Sequence, residues 1–159
     1  MAQDATFEEG GEQPLRLKAN DTDDLAIIAS LAQDAVFPAS EISFQKSQRR
    51  FAILLNRFRW EDKTAAERRG RSYERVQSVL LVEDVLNVKS QGVERGDADT
   101  VLSLLSVEFE PGEDGTGRVV LTLAGDGAIA LDVEVLDVAL KDVTRPYVAP
   151  SKQAPKHDD

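Results

Sequence analysis

The feature of this sequence that most limits its fold is a long run of β-strand patterns after Pro38. Apolar and polar residues alternate there, as side chains do on the two faces of a strand. The links between the strand patterns are short and polar, whereas parallel neighbours require long crossover connections, so antiparallel pairing is predicted. In chain order the segments are EISFQ, RRFAILLNRFRW, YERVQSVLLV, VLNVKS, DTVLSLLSVEFE, VVLTLA and AIALDVEV.

One segment before this run, NDTDDLAIIASLAQDAVF, has the pattern of an amphipathic helix. Either Asp21 or Thr22 is placed to accept hydrogen bonds from the free amides of the first turn. Pro38 is expected to stop the helix soon after Phe37. The preceding LRLKA alternates as a short half-buried strand. The apolar stripe of the helix consists of Leu25, Ile28, Ala32 and Ala35, widened by Ile27 and Leu31.

The clearest predicted hairpin joins VVLTLA to AIALDVEV through Gly125–Gly127, because glycine adopts positive φ at no steric cost. After it, Val135 and Leu136 are both apolar, so the alternation changes phase. Two interpretations stay open at this point. Either a β-bulge shifts the phase and LDVALKDV continues as a strand, or the chain forms a short C-terminal helix.

These patterns predict an α+β fold in which one N-terminal amphipathic helix packs on an antiparallel sheet of about seven to eight strands. The sheet is expected to be strongly curved or barrel-like, and a pleckstrin-homology-like or split-barrel shape would fit. Residues 15–143 are predicted to form a single domain. Residues 1–14 are predicted to be disordered, and residues 144–159 to form a flexible, proline-rich tail.

Composition narrows the functional classes. The chain has no cysteine, which excludes disulfides, thiolate metal sites and a cysteine nucleophile. The first residues lack a signal-peptide pattern, and no apolar run approaches the ~18 residues of a membrane span, so a cytoplasmic location without membrane association is expected. A formal net charge of −10 argues against broad binding to nucleic acid.

The charge is nevertheless unevenly distributed. From Lys46 to Arg75 there are ten basic and four acidic residues, a net charge of +6 within an acidic chain. Alternation in the strand before Glu61 predicts that Phe58 and Trp60 face the core and that Arg57 and Arg59 face solvent. The predicted binding patch consists of Arg57, Arg59, Lys63, Arg68, Arg69, Arg71, Tyr73 and Arg75.

This patch has three possible interpretations. It is a solvated strand edge and loop, a docking surface for a protein partner or a second copy of the chain, or a site for an anionic ligand such as RNA or a phosphorylated metabolite. Base-stacking platforms need aromatic and cationic side chains on one accessible surface, and alternation separates Phe58 and Trp60 from the arginines. The sequence therefore favours a non-enzymatic, cytosolic protein-interaction or self-association module, with binding of an anionic ligand as the alternative.

Catalytic, cofactor and metal sites have no positive signal. The sole histidine, His157, lies in the predicted flexible tail, where nothing would hold it near a substrate. Asp132 and Glu134 share one face of a strand and resemble a pair for acid–base work or cation binding, but acids on a solvated strand face are far commoner. No catalytic, cofactor-binding or metal-binding residue is assigned. A carboxylate-based enzyme is the third and weakest hypothesis.

Ordered segments of the chain resemble a family of small uncharacterised alphaproteobacterial proteins, a domain-of-unknown-function family. The resemblance spans Leu15 to Val143 and implies a bacterial, cytosolic protein. The family has no assigned activity, so the resemblance transfers no residue role. The segments that carry it are LRLKANDTDDLAIIASLAQDAV, RRFAILLNRFRWE, RSYERVQSVLLVEDVLNVKSQGV, VLSLLSVEFEPGE and VVLTLAGDGAIALDVEVLDVALKDV.

Overall fold

A computed structural model describes residues 14–62, 74–93, 99–144 and 147–148. These residues form one α-helix and eleven strands. The helix, α1, is Thr22–Ala32. The strands are β1 Arg16–Ala19, β2 Val36–Pro38, β3 Ile42–Gln45, β4 Arg50–Phe58, β5 Glu74–Val82, β6 Val85–Gln91, β7 Val101–Pro111, β8 Gly117–Leu123, β9 Ala128–Val133, β10 Val138–Asp142 and β11 Tyr147–Val148.

The antiparallel α+β fold is confirmed, but the predicted number of strands and the barrel are wrong. The strands follow the order β1-β10-β5-β4-β2-β7-β8-β9-β6, with β3 added to β4 and β11 added to β5. All of the pairings are antiparallel. The two end strands of this path, β1 and β6, do not pair with each other, so the sheet stays open. Short strands such as β2 carry too few residues to show a period of two, which is why the count was low.

Helix α1 begins as predicted and ends early. Its N-cap is Asp21, whose side chain accepts a hydrogen bond of 2.8 Å from the Asp24 amide. Leu25, Ile28 and Ala32 are buried in the core, whereas Ile27 is 52 % exposed and lies outside the buried stripe. Asp34 has a φ of 66°, a left-handed conformation that takes the chain out of the helix before Pro38. The residues before and including Pro38 then form β2, between β4 and β7.

The C-terminal half of the sheet is less regular than a simple meander. Strands β7, β8 and β9 pair in chain order, and the predicted hairpin tip carries positive φ at Gly125 and Asp126. After β9 the chain does not continue as one bulged strand, nor does it form a helix. It crosses to the other half of the sheet, where β10 lies between β1 and β5. Strand β10 therefore completes the core beside residues that are more than 100 positions earlier in the chain.

One described strand lies beyond Val143. Tyr147 and Val148, which fall within the predicted flexible tail, pair with Arg75 and Glu74 of β5. Residues 145–146 and 149–159 of the tail, and residues 1–13 of the predicted disordered segment, lie outside the described part of the chain.

Candidate functional site: a buried arginine network beside a cationic segment

The described members of the predicted patch do not form an exposed surface. Arg57 is 0 % exposed and Arg59 is 6 % exposed, so the prediction that both face solvent is wrong. Arg75 is half-buried and stacks over Phe58, with its Cζ 4.8 Å from the ring centroid. The remaining members, Lys63, Arg68, Arg69, Arg71 and Tyr73, lie outside the described residues.

Arg57 is buried because it continues the core-facing row of β4. Phe51, Ile53 and Leu55 precede it on the same face, and each is 0 % exposed. Alternation correctly separated Arg57 from Phe58, but it could not show that the face of Arg57 is the interior. At this end of β4 both faces are covered, since Phe58 is 1 % exposed and its ring lies 5.3 Å from that of Trp60. The expected burial of Phe58 is thus confirmed.

The burial of a charge is tolerated here because every donor of the guanidinium has an acceptor. Nε donates to Ser78 Oγ at 2.9 Å, and the two terminal nitrogens donate to both carboxylate oxygens of Glu61, at 2.9 Å each. Nη2 also donates to Asp142 at 3.0 Å, and Nη1 to the Phe58 carbonyl at 3.1 Å. We refer to Arg57, Glu61, Ser78 and Asp142 as the arginine network.

Asp142 is the buried anion of the network, with a side chain that is 4 % exposed. It accepts a hydrogen bond of 2.6 Å from Ser78 Oγ and one of 2.9 Å from the Leu15 amide. Through these bonds the network joins β4, β5, β10 and the residue before β1. Fully satisfied buried networks of this kind specify a unique arrangement of the elements that they connect.

The electrostatics agree with a permanently charged Arg57. Burial disfavours its charged form, but hydrogen bonds and ion pairs to Glu61 and Asp142 outweigh that effect and raise the pKa of Arg57 above its ordinary value. The guanidinium has no donor left for a ligand, and Ser78 is 0 % exposed. The network is therefore suited to holding structure rather than to catalysis.

A second ion pair lies next to the network. The buried Arg59 pairs with Glu74, the first residue of β5, and the Arg59 amide donates to the Glu74 carbonyl at 3.0 Å. Trp60 extends the same region toward the helix, since its Nε1 donates to the Gln33 carbonyl at 2.9 Å. Arg57 and Arg59 thus anchor the residues on both sides of the segment 63–73, which we call the cationic segment.

The two acids singled out on β9 and just beyond it are each occupied by a basic side chain. Asp132 accepts from Arg118 Nε at 2.9 Å and from Asn87 at 3.4 Å, and Glu134 pairs with Arg49 at 2.7 Å. The hydrogen bond from Arg118 is the main cause that lowers the pKa of Asp132. The described residues contain no group of three or more His, Asp or Glu side chains placed to hold a metal ion. His157 lies outside them.

Sequence reasoning missed two features. Ser78 and Asp142 gave no signal, because each is a single polar residue in a strand pattern and its partner lies on another strand. It also missed a pocket between β3 and β6, because nothing in the sequence of either strand indicates that the two will not pair. Ile42, Phe44 and Val88 carried only the ordinary alternation of a half-buried strand.

Comparison with known proteins identifies a family for the chain but no activity. Within the described residues, no helix is long and apolar enough to cross a membrane. Neither a curated protein nor a solved structure matches the chain. A family model described as "protein of unknown function (DUF2948)" matches residues 15–157, which confirms the family resemblance and extends it past Val143. With nearly the whole chain covered by that match, the protein belongs to this family of unknown function.

Proposed function

We propose that this protein is a non-enzymatic, cytosolic interaction module that docks an acidic protein partner, or a second copy of itself, through the cationic segment. The segment carries Lys63, Arg68, Arg69 and Arg71 against one acid, Glu67, in a chain with a net charge of −10. Such a concentration of charge steers oppositely charged partners and pairs arginine with carboxylates in a bidentate manner.

The observation that carries the proposal is the anchoring of both ends of the segment. Glu61, just before it, is held by Arg57, and Glu74, just after it, is held by Arg59. The two buried arginines therefore hold the residues on each side of the segment, and the cations between them contact the partner. Preorganised ends lower the conformational entropy that a contact element loses on binding.

The proposed contact region is smaller than the binding patch predicted from the sequence. Arg57 and Arg59 are removed from it, because their guanidiniums are buried and ion-paired. Arg75 stays at its edge, half-buried over Phe58. The proposed contact residues are Lys63, Arg68, Arg69, Arg71, Tyr73 and Arg75.

The test compares partner capture by the native protein and by a variant in which Arg68, Arg69 and Arg71 are all changed to Glu. A matched control changes Lys18, Lys89 and Lys141, which are exposed on strands outside the segment, to Glu, and so alters the net charge equally. Affinity capture with and without nuclease is followed by mass spectrometry. We expect the first variant to lose a nuclease-resistant partner that the control retains, and size-exclusion chromatography with light scattering tests self-association in the same variants.

Other results would reject the proposal. If nuclease alone removes the captured partners, the segment binds nucleic acid, which is the alternative function. If the segment variant keeps every partner and the same mass in solution, the cations are only a solvated surface.

A further inference from the structure

The strand pairings around the core follow a ring that is interrupted at one place. From β4 the pairings run through β2, β7, β8 and β9 to β6, and β4 also pairs with β3. Among the described residues, neither β3 nor β6 has a second neighbouring strand. The missing pairing is therefore the one between β3 and β6, and we call this opening the β3–β6 gap.

The gap is closed at one end. The Val85 amide, at the start of β6, donates to the carbonyl of Arg49 at 2.9 Å, and Arg49 lies in the turn between β3 and β4. Asp84, just before β6, has a φ of 59° and turns the chain from β5 into β6. Beyond this bond the described residues of β3 and β6 make no hydrogen bonds with each other, so the two strand edges face the gap.

A pocket of about 420 Å³ fills the gap. Its deepest side chains are Phe51, which is 0 % exposed, and Ile129, which is 1 % exposed. Seven of the lining residues are apolar, two are serines and none is charged. The lining residues are Ala39, Ser40, Ile42, Phe44, Phe51, Val88, Ser90, Val93 and Ile129.

Two kinds of recognition chemistry meet in this gap. The free edge of a strand presents unpaired backbone N–H and C=O groups, which pair readily with another extended chain. Beside that edge, an uncharged pocket of this size accepts apolar side chains, since ligand pockets span about 300–1,000 Å³. Strand addition combines both, with backbone pairing supplying affinity and side-chain pockets supplying specificity.

We propose that the β3–β6 gap binds an extended peptide, which adds as a strand to the free edge of β6 and inserts one apolar side chain into the pocket. Strand β6 offers seven residues, Val85–Gln91, against four on β3. The occupant carries apolar residues at alternate positions, because alternate side chains of an added strand point to the same face. Because no lining residue is charged, the pocket does not favour an acidic side chain. In this respect the site differs from the cationic segment.

The test uses a panel of fluorescein-labelled, end-blocked heptapeptides with Thr at odd positions and Val, Leu or Phe at even positions. Binding is measured by fluorescence anisotropy with the full chain. We expect saturable binding, and we expect it to weaken about tenfold when alternate backbone amides of the best peptide are N-methylated. The methyl groups remove backbone donors and keep every side chain, and tenfold corresponds to about 1.4 kcal/mol, the scale of one hydrogen bond.

Two protein variants locate the site. Ser90→Trp, at the mouth of the pocket, is expected to weaken binding at least tenfold, whereas Leu105→Trp, at an exposed position on β7 outside the lining, is expected to change it less than twofold. Thermal unfolding of both variants checks that the fold is retained. Ser40→Trp fills the pocket from the side of β3 and replaces Ser90→Trp if that variant unfolds.

The proposal is overturned if no peptide of the panel binds saturably, or if Leu105→Trp weakens binding as much as Ser90→Trp. Equal binding of the N-methylated peptide also overturns it, because the pocket would then recognise an apolar group without strand pairing. Nile red, a neutral apolar dye, serves as the comparison probe. If Ser90→Trp abolishes dye binding while no peptide binds, the gap is a small-molecule site instead.

Discussion

Arg57 and Arg118 both project from strands of the same sheet toward an aspartate, and their surroundings differ. The side chain of Arg57 is 0 % exposed, whereas that of Arg118 is 42 % exposed beside Asp132. Arg57 and Asp142 bond to each other, to Ser78 and to further protein groups in place of water, while water solvates Arg118 and Asp132 directly. The same pair of residue types is therefore a structural requirement in one half of the sheet and a minor contact in the other.

The largest expected effect comes from removing the buried anion. Asp142→Ala leaves Arg57 buried with Glu61 as its only carboxylate, and should lower the free energy of unfolding by about 3–5 kcal/mol. The measurement is urea denaturation followed by circular dichroism. Asp132→Ala is the matched control on the exposed pair and should lower it by less than about 1 kcal/mol. Equal losses would remove the distinction between the two regions.

Replacing the network with apolar residues should recover part of that loss. In the triple variant Arg57→Met, Ser78→Ala, Asp142→Leu no buried charge remains, and well-packed apolar replacements of buried ion pairs are often neutral. The Leu15 amide loses its acceptor, at a cost of about 1–3 kcal/mol. We expect the triple variant to be more stable than Asp142→Ala in the same denaturation experiment. If the triple variant is less stable than Asp142→Ala, the interactions within the network stabilise the fold by more than the desolvation of its charges costs.

A smaller effect is expected from the neutral member of the network. Ser78→Ala removes the hydroxyl that donates to Asp142 and accepts from Arg57, while both charges stay paired. The free energy of unfolding should fall by about 1 kcal/mol, the typical net value of one hydrogen bond. Ser43→Ala, at an exposed position on β3, should leave it unchanged within error. A loss of several kcal/mol at Ser78 would indicate that the ion pair needs the hydroxyl to form.

Truncating the exposed arginine should have less effect still, and that effect should depend on salt. Arg118→Ala is expected to lower the free energy of unfolding by no more than about 1 kcal/mol in dilute buffer, because solvent-exposed ion pairs contribute little. Raising the salt to about 1 M should remove most of the difference between the variant and the native protein, since the Debye length then falls to about 3 Å. A loss that survives high salt would point to packing by the arginine stem.

The smallest effect concerns pH. The hydrogen bond from Arg118 lowers the pKa of Asp132 below its usual 3.8 in the folded state, so the carboxylate stabilises the fold above the unfolded-state pKa. That contribution is lost as pH falls through the folded-state pKa, in the range below about pH 4. In Arg118→Ala the pKa of Asp132 should rise toward 3.8, as measured by NMR titration of the side-chain carboxyl carbon. An unchanged pKa would show that Asn87 or Lys89, not Arg118, sets it.

Sequence patterns located the local elements well. The helix start, with its N-cap at Asp21 or Thr22, and the hairpin tip at Gly125–Gly127 were predicted because capping and turn geometry depend on neighbours within a few positions. The end of α1 was placed too late, since the left-handed Asp34 is held by a hydrogen bond of 2.8 Å from its amide to Leu104, on a distant strand. The site was predicted less well, because Arg57 and Arg59 satisfy the same alternation whether their face is solvent or core.

The sequence by itself determined the predominance of strands, the single α-helix of the described residues and the concentration of cations between β4 and β5. These are properties of periodicity and charge that each segment carries alone. Only the tertiary structure decided that Arg57 is buried, that β10 lies between β1 and β5, and that β3 and β6 do not pair with each other. The physical reason is that burial and strand order arise from contacts between segments far apart in the chain, and a period of two gives the face of a residue without saying what will cover it.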